Sequence, residues 1–390
     1  MTLMNEGPLK VLLVGPFSRY SGYGSDLIDM ADALMLKGID VYLQPINLQP
    51  PLPKGVANLL TKHLEAPFDL MIHHVDPSML GATKEQKAAT DVIVGWSMWE
   101  FSTLGNLVGR STFKKRTSDF DALFGYSDVS VGAFQARAPK LPMGTLQGGY
   151  NDKLWPYMER NWHGKRFSFI MNGQLGLRKN PFVAIEAFAE LKTEYPVEFE
   201  PAEFHLHTTV SSLPPMIEDA IPKLRVHYRT FDDYEMHEFY KSGHVLLAPS
   251  YGEGKNLPAL EMLSTGGSVV ATDWGGHQQW LHTQYAYPLN YELEPFGVPG
   301  RDLLNCKWAK ADKDHLKALM LHCFRNREEV KQKGMTGAKL IPEMCSWDRV
   351  MDDFFRRLPD LVPGKGHEVR DKYTEAKLLH DTRKRVARDA

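Results

Sequence analysis

Short runs of β-branched and aromatic residues recur along the chain, each bounded by Gly, Pro or Asp and separated by a longer helical stretch: KVLLVG, DVYLQP, FDLMIHHV, DVIVGW and ALFGYS. That alternation specifies a parallel sheet wrapped by helices. The series then restarts with FSFIMNG, EFHLHTTV, LRVHYR, HVLLAPS and GSVVATD, interleaved with helical segments such as NPFVAIEAFAELK and DDYEMHEFYKSG. A chain of 390 residues has room for two or three domains of ordinary size. The expected class is α/β, with one domain over residues 1–155 and a second over 164–345. Between them GGYNDKLWPYMERNWHGKR has no clear period and reads as the linker, with a cleft beside it. After about residue 311 the pattern is helical, through SWDRVMDDFFRRL, and ends in a charged tail over 363–390 expected to be a peripheral helix or partly disordered. There is no internal repeat.

Several functional classes fall away on composition. At 43% hydrophobic and 24% charged residues, with no apolar run near the roughly 20 residues a bilayer requires, the chain reads as a soluble globular protein. MTLMNEGPLKVLLVGP runs straight into a glycine turn and reads as a first strand, not a signal peptide, so a cytoplasmic location is expected. Cys306, Cys323 and Cys345 are odd in number and lack metal-ligand spacing, which favours reduced thiols and no metal site. A net charge of -2 provides no global attraction to nucleic acid or anionic lipid. Two local clusters, Arg110, Lys114, Lys115 and Arg116, and Arg383, Lys384, Arg385 and Arg388, read as solvated helix faces. Both also permit peripheral contact with DNA or an anionic membrane surface.

LLVGPFSRYSGYGSDLIDMADAL puts Gly22, Gly24 and Ser25 between a strand and an amphipathic helix, where free N–H groups and the helix dipole suit an anion. A tight turn without a ligand explains the same residues. The dinucleotide fingerprint is incomplete, because position 27 is Leu and the second strand, DVYLQPINLQ, ends without the acid that holds a ribose, so a nicotinamide cofactor is not expected.

In IMNGQLGLRKNPFVAIEAF, Gly173 ends a strand, Arg178 and Lys179 occupy the loop, and Asn180 with Pro181 opens a helix by capping and fixed φ. A guanidinium fork and an ammonium point charge at a helix start can neutralise a diphosphate, although an isolated pair of this kind is as readily explained by solvation. PSYGEGKNLPALEML repeats the theme. Asn256 is placed to cap a helix whose second residue is Pro258, with Glu253 before it and Glu261 about one turn in. Two carboxylates at this spacing are on the order of 10 Å apart, enough to grip opposite ends of an extended ligand. A sugar and a ribose flanking a diphosphate form such a ligand.

With these residues in view the chain resembles the retaining GT-B glycosyltransferases with the Glu-x7-Glu motif, family-4-like and known as glycosyl transferases group 1. The likeness rests on EGKNLPALE, GQLGLRKNPFVAIEAFAEL, the VVATDWGG loop and the late SWDRVMDDFF helix. It implies two Rossmann-like doubly wound domains facing across a cleft, the first binding acceptor and the second a nucleotide sugar, with the helix over 346–360 crossing back to the first. It further implies that Glu253 contacts sugar hydroxyls, that Glu261 holds the ribose, and that Arg178 and Lys179 stabilise the departing diphosphate. Gly22 and Gly24 would close over the same phosphates, and Gly173, Gly254, Lys255, Asn256 and Leu257 would lie along the donor. The sugar-facing histidine of such enzymes corresponds to His74 in preference to His73.

The sequence departs from the family where the usual arginine after the second-domain glycine is Gln174. Trp96, Trp99 and Glu100 in WSMWEFSTL stand at a strand end on the acceptor side, with Trp99 and Glu100 as acceptor-wall candidates and buried core as the equal alternative. Asp119 and Asp121 form an Asp-x-Asp that does not fit a metal site. The resemblance implies transfer with retention from a UDP- or GDP-type donor to a glycan, glycolipid or similar hydroxyl acceptor, without a cofactor. A hydroxymethylated pyrimidine base in DNA, as for phage-type enzymes, is an alternative acceptor. A sugar-nucleotide epimerase and an inactive sugar-nucleotide-binding protein are the rival classes.

Overall fold

Six strands, β1 (Lys10–Ser18), β2 (Asp40–Gln49), β3 (Phe68–His73), β4 (Thr90–Ser97), β5 (Ala122–Gly125) and β6 (Met143–Thr145), run parallel in the order β2-β1-β3-β4-β5-β6. They belong to a computed structural model that describes residues 7–389 other than 20, 106–109, 175, 210–219 and 299–300. Every residue of β3 and β5 is buried, as a strand covered on both faces requires. Side chains alternate between two cores. Val11, Leu13, Ile72, Val94 and Phe124 join one cluster with the helix Gly22–Met35, while Leu12, Val14, Met71, Ile93 and Leu123 join the other. The strand order turns between β1 and β3, and the loops leaving their C-terminal ends carry the glycine turn and His74.

The chain forms two compact units, Met1–Tyr150 with Trp347–Ala390, and Asn151–Ser346. The second holds β7 (Phe167–Asn172), β8 (Ala202–Thr208), β9 (Leu224–Tyr228), β10 (Val245–Ala248), β11 (Ser268–Thr272) and β12 (Tyr287–Leu289), parallel in the order β12-β11-β10-β7-β8-β9. Read from β9, this is the doubly wound Rossmann order, with its reversal between β7 and β10. Ligands of open parallel sheets bind outside the carboxyl ends of the strands at such a reversal. An antiparallel hairpin of β13 (Tyr291–Val298) and β14 (Arg301–Ala311) follows β12.

The boundary falls at Tyr150/Asn151, within the segment GGYNDKLWPYMERNWHGKR read as the linker, and the rest of that segment is part of the second unit. Its glycine, asparagine and proline content mimics a tether, but Arg160 is 5% exposed and fixes it. The guanidinium donates to the carbonyl oxygens of Gly243 at 2.8 Å, Met158 at 3.0 Å and Tyr240 at 3.1 Å, to that of Thr265, and to Thr265 Oγ1 at 2.7 Å.

The chain re-enters the first unit at Trp347. The helix Trp347–Leu361 buries Trp347, Val350, Met351, Phe354, Phe355 and Leu358 at helical spacing, and Phe354 stacks on Trp96 with centroids 5.3 Å apart. The charged tail is also structural: it forms the helix Lys365–Asp389. Val369 and Tyr373 enter the core, and the Tyr373 ring stacks on Phe355 at 3.9 Å. Asp352 accepts hydrogen bonds from the Tyr373 hydroxyl and from Lys377. Of the two expectations for the tail the structure has the helix, and it is less peripheral than its charge suggests, because Val369 and Tyr373 are buried. The three cysteines are buried free thiols, and among the described residues no helix is long and apolar enough to cross a membrane.

Truncating Tyr373→Ala removes a stacked aromatic from this core and should lower unfolding free energy by about 3–5 kcal/mol. Urea denaturation followed by tryptophan fluorescence measures it. An unchanged midpoint would show that the terminal helix is not part of the fold's core.

Candidate functional site

At the β7/β10 reversal, two strand-to-helix turns have the same construction. Gly173 follows β7, the turn Leu177–Lys179 comes next, and Asn180, at φ 54°, precedes the helix Pro181–Glu194. From β10 the chain passes through Glu253 to Asn256, at φ 67°, and the helix Leu257–Ser264. In each a left-handed asparagine turns the chain, and a proline at the first or second helical position presets φ. Neither asparagine caps its helix with its side chain, which corrects the capping expected from sequence. In the left-handed conformation the side chain is directed elsewhere: Asn180 Nδ2 donates to the Pro249 carbonyl at 3.2 Å, and Asn256 Nδ2 to His277 Nε2 at 2.9 Å.

Glu253 joins the two turns. It is 3% exposed, with Oε2 at 2.9 Å from Arg178 Nη1 and Oε1 at 2.7 Å from Lys179 Nζ. The Ser250 hydroxyl donates to Oε1 at 2.7 Å. Burial alone would raise its pKa, but Lys179 and Arg178 hold the carboxyl far below the usual carboxylate range. Arg178 Nη1 also donates to the Gly252 carbonyl at 2.7 Å, and Tyr251 N–H to the Arg178 carbonyl at 2.9 Å. Both oxygens of Glu253 are therefore engaged within the protein. The side chain expected to meet a sugar serves here as the counter-ion that brings two cations together.

A second layer holds the 252–256 loop from behind. Gly276 N–H donates to the Glu253 carbonyl at 2.8 Å, and a Cβ at Gly276 would lie 1.9 Å from the Gly254 carbonyl oxygen, so only glycine fits. Trp280 Nε1 donates to the carbonyl of Lys255, itself buried, at 2.8 Å. His277 is 1% exposed; its Nδ1 donates to the Thr272 carbonyl at 2.7 Å, which leaves Nε2 as acceptor for Asn256. Burial lowers its pKa to about 4, so the ring is neutral at pH 7 and keeps this tautomer. Sequence reading reached this loop through VVATDWGG but not His277 or Trp280.

Glu261 lies in the helix Leu257–Ser264 and is half-buried. Its Oε2 accepts from the Tyr240 hydroxyl at 2.5 Å, that hydroxyl accepts from Asn172 Nδ2 at 2.8 Å, and Asn172 Oδ1 lies 2.7 Å from His207 Nδ1. A relay from β8 through β7 and a neighbouring helix thus orients the carboxylate. Tyr240, Asn172 and His207 gave no sequence signal, since each reads as an ordinary strand or helix residue.

In the first unit, the two glycines differ. A Cβ on Gly24 would meet Ser18 O at 2.4 Å, whereas on Gly22 the nearest atom would be Met98 Cε at 4.0 Å. Gly24 is required by the turn itself and Gly22 is not. Ser21 Oγ accepts from Gly24 N–H at 3.1 Å and caps the helix. His74, the histidine expected to face the sugar, follows β3. It is fully buried, with Nδ1 2.7 Å from the Trp96 carbonyl and Nε2 3.2 Å from Tyr126 Oη and 3.5 Å from Asp26 Oδ2. The Tyr126 hydroxyl donates to Asp26 Oδ2 at 2.7 Å. A buried polar network claims the imidazole.

Trp99 is likewise buried, as its core alternative expects, being 5% exposed with Nε1 donating to the Thr103 carbonyl at 2.7 Å. Glu100 beside it is half-buried. Asp119 pairs with Lys87, Asp121 accepts from Ile93 N–H at 2.8 Å, and among the described residues no group of His, Cys, Asp and Glu is placed to hold a metal. Gln174 is exposed, as are Lys114, Lys115, Arg116, Arg383, Lys384 and Arg385 on helices, while the side chains of Arg110 and Arg388 lie outside the described ones.

No curated protein matches the chain by sequence. Residues 166–289 match the model of the family Glycosyl transferases group 1, and the segment contains Gly173, Arg178, Lys179, Glu253 and Glu261. Among solved structures, the trehalose-6-phosphate protein from E. coli bound with UDP-2-fluoro glucose is similar with a TM-score of 0.65 at 12% identity, over 90% of this chain and 99% of that one. Sucrose-phosphate synthase from Thermosynechococcus elongatus gives 0.62 at 12% over 90% and 99%, and HepE of Anabaena in complex with UDP gives 0.60 at 13% over 90% and 100%. TarM matches at 0.54 and 12%, over 76% of this chain, which spans 55% of TarM. The fold is therefore GT-B, made of two Rossmann-like α/β units.

The geometry at His277 has a consequence for pH. Folding lowers its pKa from 6.5 to about 4, so between those values the unfolded chain binds the extra proton and the contribution to stability is lost as pH falls. The imidazole NMR shifts of His277 in the folded protein should stay constant from about pH 8 to about pH 5. A midpoint at or above 6.5 would contradict the buried, neutral ring.

Proposed function

We propose that the protein is a retaining glycosyltransferase that moves a sugar from a nucleoside-diphosphate sugar to a hydroxyl of a glycan, glycolipid or similar acceptor. The observation that carries this reading is the convergence of Arg178 and Lys179 on buried Glu253 at the β7/β10 reversal, inside the segment matching Glycosyl transferases group 1. Two cations held together beside two helix starts form a site for a diphosphate. Glu261, aimed by Tyr240, suits the two hydroxyls of a ribose. UDP is the favoured nucleotide, because HepE was solved with UDP and the E. coli trehalose-6-phosphate protein with UDP-2-fluoro glucose.

In the reaction, the bond from the anomeric carbon to the diphosphate oxygen breaks as the acceptor oxygen bonds to the same face. The departing diphosphate oxygen accepts the acceptor's proton, so no protein base is needed. Arg178 and Lys179 stabilise the charge that grows on the diphosphate, the step at which preorganised groups contribute most. Glu253 keeps the two cations in register. His74 has no part in this scheme beyond ordering the end of β3, since its ring is buried.

Nucleotide release from UDP-, GDP-, ADP- and TDP-sugars, with and without pooled glycan acceptors, tests the reading. Arg178→Ala should lower turnover about 10²–10³-fold, with Lys179 still countering Glu253. Glu261→Ala should chiefly raise KM for the donor, about tenfold or more for a lost charged hydrogen bond. Near-normal turnover in Arg178→Ala would remove the proposed phosphate role. Donor consumption without any acceptor would favour an epimerase instead, and a product with inverted anomeric configuration would refute retention.

A further inference from the structure

The second unit contains a hollow of about 860 Å³ that the scheme above does not use. It lies between the start of the helix Pro181–Glu194 and the base of the β13–β14 hairpin, with Phe182, Tyr251, Tyr291, Asp273, Glu292 and Lys310 in its wall. Its size is that of a small-molecule site with room for more than one ring.

Three aromatic side chains face this space. Phe182 is 43% exposed, which leaves part of its ring open to a ligand. Tyr251 is a rigid platform, because its ring stacks on Trp308 with centroids 3.8 Å apart and planes at 18°, and Ala309 N–H donates to its carbonyl at 2.8 Å. Tyr291 is half-buried at the opposite strand.

The charges decide what such rings would take. Of the cations in the wall, Lys313 pairs with Glu190 at 2.6 Å and Glu186 at 3.6 Å, and Lys310 lies 3.7 Å from Glu294. Asp312 is occupied in accepting His315 N–H at 2.9 Å. Asp273 and Glu292 form no ion pair among the described residues. Glu292 stands opposite Lys310 in the ladder, and with Glu186, Asp273, Glu292 and Asp312 against Lys310 and Lys313 the wall holds more carboxylates than cations and disfavours phosphate or nucleic acid. Aromatic faces that pack on the C–H face of a pyranose, beside carboxylates that accept paired hydroxyls, match an uncharged saccharide.

The geometry points to an accessory site for a neutral oligosaccharide in this hollow, separate from the Arg178–Lys179–Glu253 array. It goes beyond the transferase reading and is tested by binding alone, without donor or turnover, so either can fail independently. Calorimetric titration of the full chain with maltohexaose, cellohexaose and chitohexaose should find saturable binding of at least one, with Kd in the millimolar range or tighter. Phe182→Ala and Glu292→Gln should each weaken it about tenfold, and Glu261→Gln should leave it unchanged. Phe182 and Glu292 are both exposed, so neither change removes core packing. No binding of any of the three hexasaccharides, binding lost in Glu261→Gln but kept in Phe182→Ala, or simple competition by UDP would each overturn the assignment.

Discussion

The buried carboxylate of Glu253, held between Arg178 and Lys179, is the interaction on which the second unit's site depends. Two adjacent cations repel, and neither would converge on one point without an anion beside them. A carboxylate placed in the interior is equally unfavourable alone, and removing one partner of such a group costs several kcal/mol. Each charge therefore makes the other placement tolerable. The triad carries a net positive charge at two helix starts, and it ties the loop after β7 to the loop after β10. The backbone bond from Tyr251 to Arg178 and the donation from Arg178 to Gly252 extend the same tie along the main chain.

A second layer of contacts backs the triad. Gly276 presses its backbone on Glu253 and Gly254, His277 fixes Asn256, and Trp280 fixes Lys255. Glu261 depends on a different chain of contacts through Tyr240, Asn172 and His207. The two glutamates of the eight-residue spacing thus sit in unlike settings. Glu253 is a buried counter-ion, while Glu261 is a half-buried acceptor aimed by a tyrosine.

Much of this was legible in the sequence, for physical reasons that can be located. The sheets could be read because β-branched runs such as FDLMIH and GSVVATD are buried on both faces and alternate with amphipathic helices. Arg178, Lys179 and Glu253 could be placed because they follow strands and precede helix-starting prolines. His277 and Tyr240 could not, since they meet the loop and Glu261 only after folding, across 21 positions each. The asparagines misled because a helix-starting Asn is read as a side-chain cap, and only the backbone angle reveals the left-handed turn. For His74 and Trp99 the sequence left the setting open, because a strand-end aromatic looks the same whether it faces a ligand or a core. In the structure both are buried, His74 beside Asp26 and Tyr126 and Trp99 bonded to Thr103. The segment read as the linker contains the unit boundary, but Arg160, an unremarkable residue in sequence, ties most of it to the second unit by binding four backbone carbonyls.

The central claim is that the triad is a diphosphate site with a ribose grip one helical turn away. A crystal structure of the protein with UDP tests it most directly. The account predicts the β-phosphate within about 3 Å of the Arg178 guanidinium and the Lys179 ammonium, with both ribose hydroxyls on the Glu261 carboxylate. UDP bound elsewhere, or bound with its phosphates away from these cations, would contradict it.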